Sequence, residues 1–523
     1  MARKKENVRR VSRRSFLKFL GGASLAGASL NLVGWGKPLT ADKAAGGNGW
    51  LPTQYNIPGS WPTLVRGRVP IEVTNPSIVR DSQKCILCGQ CIEVCKNVQS
   101  VFGHYSLPLI EGIVCVNCGQ CIHLCPSGAI SEVDDTERVL KALADPDVHV
   151  VVQTAPATRV ALGEEFGLPV GTNVQGKQVA ALRKLGFDAI FDTNFTADLT
   201  IMEEGTELVK RVKGELKKPL PQLTSCCPGW VKFVEYFYPD LLENLSSAKS
   251  PQQMEGALIK TYYAKANKID PEKILSVSIM PCIAKKFECK RPEMVSASKE
   301  EKDSNITPDV DIVLTTRELA RMIKKAGIDF NALPDGQYDR LMGDSTGAAV
   351  IFGATGGVME AAIRSAYYLI TGQQPPLTLW DLQPVRGLLG VKEAAVNIPG
   401  IGDLKVAVVS GLANARKIMD QVRAKKSPWA FIEVMACPSG CQYGGGQPRA
   451  SAPPSDDIRA KRSAALYQSD SNNQLRNSHD NPEIAQIYKD FLGKPMSELA
   501  ETLLHTEYKS RAKQFIGEKE KSS

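Results

Sequence analysis

The chain has 523 residues, 43% hydrophobic and 23% charged, which gives room for two or three domains with a large core and excludes a disordered chain. The formal net charge is +8, but residues 1–45 alone carry ten Lys/Arg against Glu6 and Asp42. The remainder is close to neutral, so a nucleic-acid role loses its main support and no nucleic-acid partner is expected.

The first segment, 1–45, reads as an export leader. Ser12-Arg13-Arg14-Ser15-Phe16-Leu17-Lys18 is similar to the twin-arginine consensus, and an apolar stretch rich in Gly, Ala and Ser runs from Phe19 to Val33. Ala41, Ala44 and Ala45 offer cleavage positions. No other segment approaches the roughly 18 apolar residues of a membrane span. The expected location is the periplasm or another extracytoplasmic face, with the twin-arginine translocase as a partner. Residues 46–75 read as a linker. Export would favour disulfides among the fourteen cysteines, but their spacing points to metal clusters, and the twin-arginine route carries proteins already folded.

A cysteine-rich module spans 76–140. Residues 85–95 read C-I-L-C-G-Q-C-I-E-V-C and 115–126 read C-V-N-C-G-Q-C-I-H-L-C-P. This is C-x2-C-x2-C-x3-C twice, as in bacterial ferredoxins with two [4Fe–4S] clusters, in which the fourth cysteine of each run ligates the other cluster. The assignment is Cys85, Cys88, Cys91 and Cys125 on one cluster, and Cys95, Cys115, Cys118 and Cys121 on the other. Lys96 departs from the usual proline, which the second run keeps at Pro126. Zinc is the competing reading, and three cysteines in a row at this spacing disfavour it.

From 146 to 450 α and β signals alternate. Val148–Thr154, Asp188–Asp192, Ile274–Met280, Ile312–Thr315 and Lys405–Ser410 read as strands, and Lys177–Leu185 as an amphipathic helix. The fold class expected is a two-lobed α/β catalytic domain, with an N-terminal ferredoxin-like α+β domain and a C-terminal helical tail. In the tail (451–523), Ser451 to Asn481 reads as loop, and Pro482–Gly493 and Met496–His505 as helices.

Three cysteine contexts lie within this domain: T-S-C-C-P-G-W (224–230), M-P-C-I-A-K-K-F-E (280–288) and E-V-M-A-C-P-S-G-C-Q-Y-G-G-G-Q-P (433–448). Each follows a strand signal or opens a helix, so the three can converge beyond the carboxyl ends of one set of strands. Glycines let backbone approach a bulky ligand closely. Together the motifs resemble the three signatures of the iron-only, or [FeFe], hydrogenases, over roughly residues 76–515. With only five histidines in the chain, a His-rich metal site is not an alternative.

That resemblance implies an H-cluster, a [4Fe–4S] cubane bridged to a two-iron unit with CO, cyanide and dithiolate ligands. Carried over by position, Cys227, Cys282, Cys437 and Cys441 hold the cubane, and Cys441 bridges. Cys226 is left as a proton donor and acceptor, followed by Glu204, Ser246 and Glu207, with Arg211 a turn beyond. Glu204, Glu207 and Arg211 fall on one helix face; from the residues alone, a solvated face with an ordinary Glu207–Arg211 pair is the simpler reading. Lys285 is implied to aim its ammonium at a cyanide, with Glu288 as its companion. Met280, Met435, Ala155, Pro156, Gln252, Phe352 and Val358 are implied to line the pocket. Ala157 stands where some relatives carry a serine, and Cys289 has no role.

The resemblance also sets the subtype. No plant-type [2Fe–2S] domain precedes Cys85, and the tail N-P-E-I-A-Q-I-Y-K-D-F-L-G-K-P with Leu503-Leu504-His505 looks like the small subunit of two-chain periplasmic enzymes, fused here. The function implied is 2H⁺ + 2e⁻ ⇌ H₂, with uptake favoured outside the cell. Implied partners are H₂, protons, a cytochrome c or membrane cytochrome, and the maturation enzymes that build the two-iron unit. The alternative is a non-catalytic hydrogen sensor or iron–sulfur electron-transfer protein on the same fold.

Overall fold

The computed structural model describes residues 67–105, 112–449 and 455–512. The export leader lies outside the described residues. So does most of the stretch read as linker, but its end, 67–75, is packed: Val69 and Ile71 join the apolar cluster of the cysteine module.

That module is small. Strand β1 (Ile78–Arg80) pairs antiparallel with β2 (Ile130–Glu132), and two one-turn helices, α1 (Gln90–Glu93) and α2 (Gln120–His123), carry the third cysteine of each run, Cys91 and Cys121. Both helices start after a glycine in the left-handed conformation, Gly89 and Gly119, where a side chain would be strained.

The catalytic domain then runs β3 (His149–Thr154), α3 (Gln175–Leu185), β4 (Ala189–Asp192), α4 (Thr193–Val212), β5 (Gln222–Leu223), α5 (Pro228–Phe237), α6 (Pro251–Leu258), β6 (Ile274–Met280), β7 (Ile312–Thr315) and α7 (Thr316–Lys325). It continues through α8 (Gly357–Thr371), β8 (Val391–Ile398), β9 (Gly402–Ser410), α9 (Leu412–Arg423) and β10 (Phe431–Met435). One sheet has the order β4-β3-β6-β7, all parallel; the other is β5-β10-β9-β8, parallel except for β8. Strands β4, β7 and β10 are buried at every residue, as expected of parallel strands covered on both faces, whereas the edge strand β8 alternates between buried and exposed. The expected strands are all present, within a few residues of their expected starts.

Helix ends follow local chemistry. Thr315 and Glu318 form a reciprocal capping box on α7, and Asp192 accepts the Asn194 N–H at the start of α4. Proline occupies the first turn of α5 and α6, where its missing N–H costs nothing.

The tail departs from expectation. Within the stretch read as loop, Asp456–Asn472 is a 17-residue helix, α10. Its apolar pattern is too sparse to show, because the residues it buries are only Ile458, Arg462, Leu466 and Asp470. Ion pairs hold it instead: Arg462 to Glu164 at 2.7 Å, and Asp470 to Arg364 at 2.9 Å. Two further helices, α11 (Pro482–Ile487, extended by a wider turn to Leu492) and α12 (Glu498–Leu504), bury Ile484, Ile487, Leu503 and Leu504 against α4 and α6 residues. None of the described helices is long and apolar enough to cross a membrane.

Candidate active site

Beyond the carboxyl ends of β3, β5, β6 and β10 lies a cavity with about 600 Å³ of empty space. The strands deliver its wall in turn: Ala155 and Pro156 after β3, Cys226 and Cys227 after β5, Met280 and Cys282 around the end of β6, and Met435 and Cys441 from β10 and its loop. Gln252, Lys285 and Phe352 complete it. Ligands of open α/β sheets sit in such a crevice.

Close backbone contacts fix the loops. Thr224 accepts N–H groups from Trp230 and Val434 on its two oxygens, and the Ala436 N–H points at Cys227 Sγ from 3.4 Å. The Gly444–Gly446 run is wedged between two neighbours. A Cβ on Gly444 would lie 2.3 Å from the Pro281 carbonyl oxygen, and one on Gly445 would lie 2.6 Å from that of Cys118. The third motif therefore touches the second motif and the cysteine module at once. Gln120 donates to the Tyr443 carbonyl and the His123 ring bonds that of Gly444, tightening the same joint.

Burial pushes the thiols of Cys227, Cys437 and Cys441 up, and that of Cys282 to about 12. Four such thiols near one another are costly to ionise unless a cation sits among them, and iron supplies that charge. Among the described residues no three His, Cys, Asp or Glu side chains converge tightly enough for a single metal ion. The cysteines instead border larger spaces. Cys95, Cys115, Cys118 and Cys121 border a second cavity, lined otherwise by Val69, Ile78, Phe102 and neighbours. Cys91 lies in the field of Cys88 and Cys125. The donor sets thus fit iron–sulfur clusters, not zinc.

Lys285 is the cation on the main cavity wall. Its Nζ lies 2.9 Å from Glu288 Oε2 and donates to the Cys226 carbonyl. Burial works to lower its pKa, but Glu288 outweighs it and the ammonium is held above its usual range. Glu288 also accepts from Ser250 and Gln252, so it orients the lysine and the Gln252 amide together.

Behind Cys226, helix α4 presents Glu204, Glu207 and Arg211, all buried. The solvated-face reading fails. Ser246 Oγ donates to Glu207 Oε2 at 2.8 Å, and Arg211 pairs with Oε1 of the same carboxylate. Burial raises Glu207, but Arg211 and Lys218 outweigh it and hold it below the usual range. Glu204 goes the other way: burial and then the Glu207 charge push it up to about 8. Ser246 pulls it back only in part, and neither carboxyl oxygen makes a hydrogen bond of full geometry among the described residues. Burial and Glu204 raise Cys226 well above the usual thiol value.

Two expected residues sit elsewhere. Val358 is packed one layer back, in the apolar cluster with Phe352 and Met435, because the first turn of α8 directs it into the core. Cys437 is buried among the other motif cysteines without bordering the cavity. Ala157 does border it, as do Thr193, Ala197 and Gly353, which sequence reading missed. Thr193 follows β4 directly, and that position was the available signal. Cys289 lies behind Met280 in a small apolar cluster, a structural thiol.

Residues 148–445 match the family model of the iron-only hydrogenase large subunit, C-terminal domain, and 456–511 that of the iron hydrogenase small subunit. A subunit of an NADP-reducing hydrogenase from Solidesulfovibrio fructosivorans is 50% identical over 452 residues, 83% of this chain and 75% of the relative. The periplasmic [Fe] hydrogenase large subunit of Nitratidesulfovibrio vulgaris is 54% identical over 374 residues, 70% of this chain and 85% of that one. A solved [FeFe]-hydrogenase of Chlamydomonas reinhardtii, at 40% identity and TM-score 0.63, covers 72% of this chain and 99% of its own. The chain belongs to the iron-only, or [FeFe], hydrogenases. It is a hydrogenase enzyme whose cofactors are the H-cluster and accessory iron–sulfur clusters.

Proposed function

We propose that this hydrogenase works outside the cytoplasm in the direction of H₂ uptake, passing electrons through two [4Fe–4S] clusters to a cytochrome c or a membrane cytochrome. The twin-arginine leader, which lies outside the described residues, supports export, as does the likeness to a relative named periplasmic. The observation that carries the electron relay is the joint at Gly445: the third motif touches Cys118, so the cysteine module abuts the loop that carries Cys437 and Cys441.

Cys227, Cys282, Cys437 and Cys441 would hold the cubane, with Cys441 as the bridge. Cys85, Cys88, Cys91 and Cys125 would hold one accessory cluster, and Cys95, Cys115, Cys118 and Cys121 the other. When bound, the two-iron unit supplies the open metal position at which H₂ is split or formed. Lys285 offers an ammonium to an anionic ligand, and Met280, Met435, Phe352, Ala155 and Pro156 keep water from that side. Cys226 faces the cavity with a thiol that stays protonated, suited to taking and returning one proton at Sγ. From there protons would pass by Glu204 and Ser246 to Glu207, which Arg211 holds in place. Maturation enzymes would load the two-iron unit before translocation.

Infrared spectra of anaerobically matured protein under H₂ and then CO test the site, and H₂-dependent reduction of a dye or cytochrome tests uptake. Gas-sensitive CO and cyanide bands with uptake that stops in Cys226→Ala are expected. Bands without turnover would turn the protein into a sensor.

A further inference from the structure

The proton route read above ends at Glu207, and Glu207 is fully buried. Arg211 offers no way out. It is buried too, and its donors are spent on Glu207 and on the carbonyls of Pro219, Glu243, Asn244 and Leu245. A guanidinium has no acceptor to pass a proton onward. Lys218 reaches Glu207 Oε1 from the solvent side at 3.3 Å, but an ammonium has no lone pair to accept a proton. The side of Glu207 that can hand one on lies at Ser247. Its N–H donates to Glu207 Oε2 at 3.0 Å, and its Oγ lies 3.2 Å from the same atom.

Ser247 Oγ is also 2.9 Å from Nδ1 of His505, whose Nε2 is 3.0 Å from Glu203 Oε2. Glu203 accepts from the Tyr488 hydroxyl and the Met496 N–H as well, so it is fixed as an acceptor. A proton on Nε2 then leaves Nδ1 as the lone-pair side toward Ser247, the carboxylate–imidazole–hydroxyl order that lets a histidine gain and lose a proton. His505 is set there by the backbone: the Lys249 N–H bonds the Leu504 carbonyl and the Thr506 N–H that of Ser247, both at 2.8 Å. Ser247, His505 and Lys218 all border a surface cavity with about 1280 Å³ of empty space.

We propose that His505, contributed by the small-subunit-like tail, is the proton relay between Glu207 and solvent. The inference rests on the Cys226–Glu207 route. In the outward step the Glu207 carboxyl O–H breaks as its proton goes to Ser247 Oγ. The Ser247 O–H breaks as its proton forms the Nδ1–H bond of His505. That Nδ1–H bond then breaks as the proton goes to water in the cavity, which leaves the Nε2–H ring as it began. One proton leaves for each that enters, and the reverse order serves H₂ evolution. The tail is then part of the proton machinery as well as a strap around the catalytic domain.

The test is dye-linked H₂ oxidation by matured His505→Gln, with and without imidazole in the buffer. The turnover number should fall roughly tenfold at unchanged KM for H₂, less than the ~10²–10⁴ of a proton-transfer group with no substitute, because cavity water can stand in for the ring. The CO and cyanide infrared bands should stay where they are, and added imidazole should restore turnover. Unchanged turnover overturns the proposal, and so does a loss that imidazole does not repair while the bands persist. If His505→Gln does not mature, Ser247→Ala should show the same fall, and normal turnover there is equally fatal. Glu204→Gln separates the two readings. If it turns over normally, the inner route is wrong; if it stops while His505→Gln does not, only the exit is wrong.

Discussion

Glu204 and Glu207 stand one turn apart on one face of a buried helix and are driven to opposite protonation states. Glu207 takes an ion pair from Arg211 and a hydrogen bond from Ser246 and stays below the usual carboxylate range. Glu204 gains only a weak contact from Ser246, and burial with the Glu207 charge pushes it up to about 8. Two carboxyls set apart in this way beside a thiol suit the proposed proton route, with a neutral donor at one end and an ionised acceptor at the other.

Glu204→Gln should therefore fold and mature while losing turnover by about 10²-fold, the share of a positioned proton-transfer group. At pH 7 the protonated-carboxyl infrared absorption, to which buried Glu255 also contributes, should lose one component in Glu204→Gln, and the wild type should lose the same component near pH 8. The sign for stability follows. A glutamate raised from 4.5 to about 8 stays protonated in the folded state while the unfolded state ionises, so wild-type stability falls between those values and levels off above them. The glutamine variant should lack that decline in denaturant melts, and a parallel decline would contradict the assignment.

Much of this was legible in the sequence, for a physical reason. Soft ligands at tight spacing leave few alternatives, so the cysteine runs read as cluster sites before any fold was known. The glycines read as room for a bulky ligand, whereas Gly444 and Gly445 pack against the Pro281 and Cys118 carbonyls. Helix α10 was hidden because ion pairs from Arg462 and Asp470 hold it where apolar periodicity would normally be the signal. Burial of the Glu204 face was equally hidden, since three polar residues at helical spacing look the same in water and in a core. The partnership of Ser247 with His505 spans 258 residues and no local pattern could carry it. Gly205, between the two glutamates on α4, has no structural explanation: a Cβ there would meet only ordinary contact, 3.7 Å from Leu369.

Lys285 is the ammonium on the main cavity wall, and its replacement probes cofactor retention. Lys285→Met removes a charge-assisted donor worth about 1.5–3 kcal/mol, so the fraction of chains carrying the two-iron unit should drop roughly tenfold to a hundredfold. Glu288 would be left buried with only Ser250 and Gln252. Adding Glu288→Gln should recover folding stability without recovering CO and cyanide band intensity. If the double variant regains its bands, Lys285 acts through the fold alone.

Glu132 ties the cysteine module to the catalytic domain. It lies on β2 and meets Arg317 and Arg321 of α7, while Arg317 also donates to the carbonyls of Gly445 and Gln447. Burial works to raise Glu132, but the arginines hold it at about 2. A depressed carboxylate stabilises fully above its unfolded value of 4.5, and that contribution is lost as pH falls through the folded one. Glu132→Gln should cost about 3 kcal/mol at neutral pH, the low end for breaking a buried pair. Measured against pH, the gap to the wild type should close between 4.5 and about 2; a gap that persists in acid would mean packing, not charge.

Gly445 sits where the third motif meets the cysteine module, so a change there tests the proposed electron path apart from the cavity. A methyl group there would sit 2.6 Å from the Cys118 carbonyl oxygen and 2.8 Å from Gly119 Cα, both backbone, so the cysteine module must move away. Gly445→Ala should destabilise by about 1–3 kcal/mol, the usual cost of overpacking. Exchange of deuterium between D₂ and water needs the cavity and the proton route but no outside electron acceptor. On the proposed relay, dye-linked H₂ oxidation needs electrons to cross the Gly445–Cys118 joint as well. The variant should keep most of its exchange activity and lose electron output several-fold, with the infrared bands of the active site unchanged. Equal losses in the two assays would place the damage inside the cavity and remove the joint from the electron path.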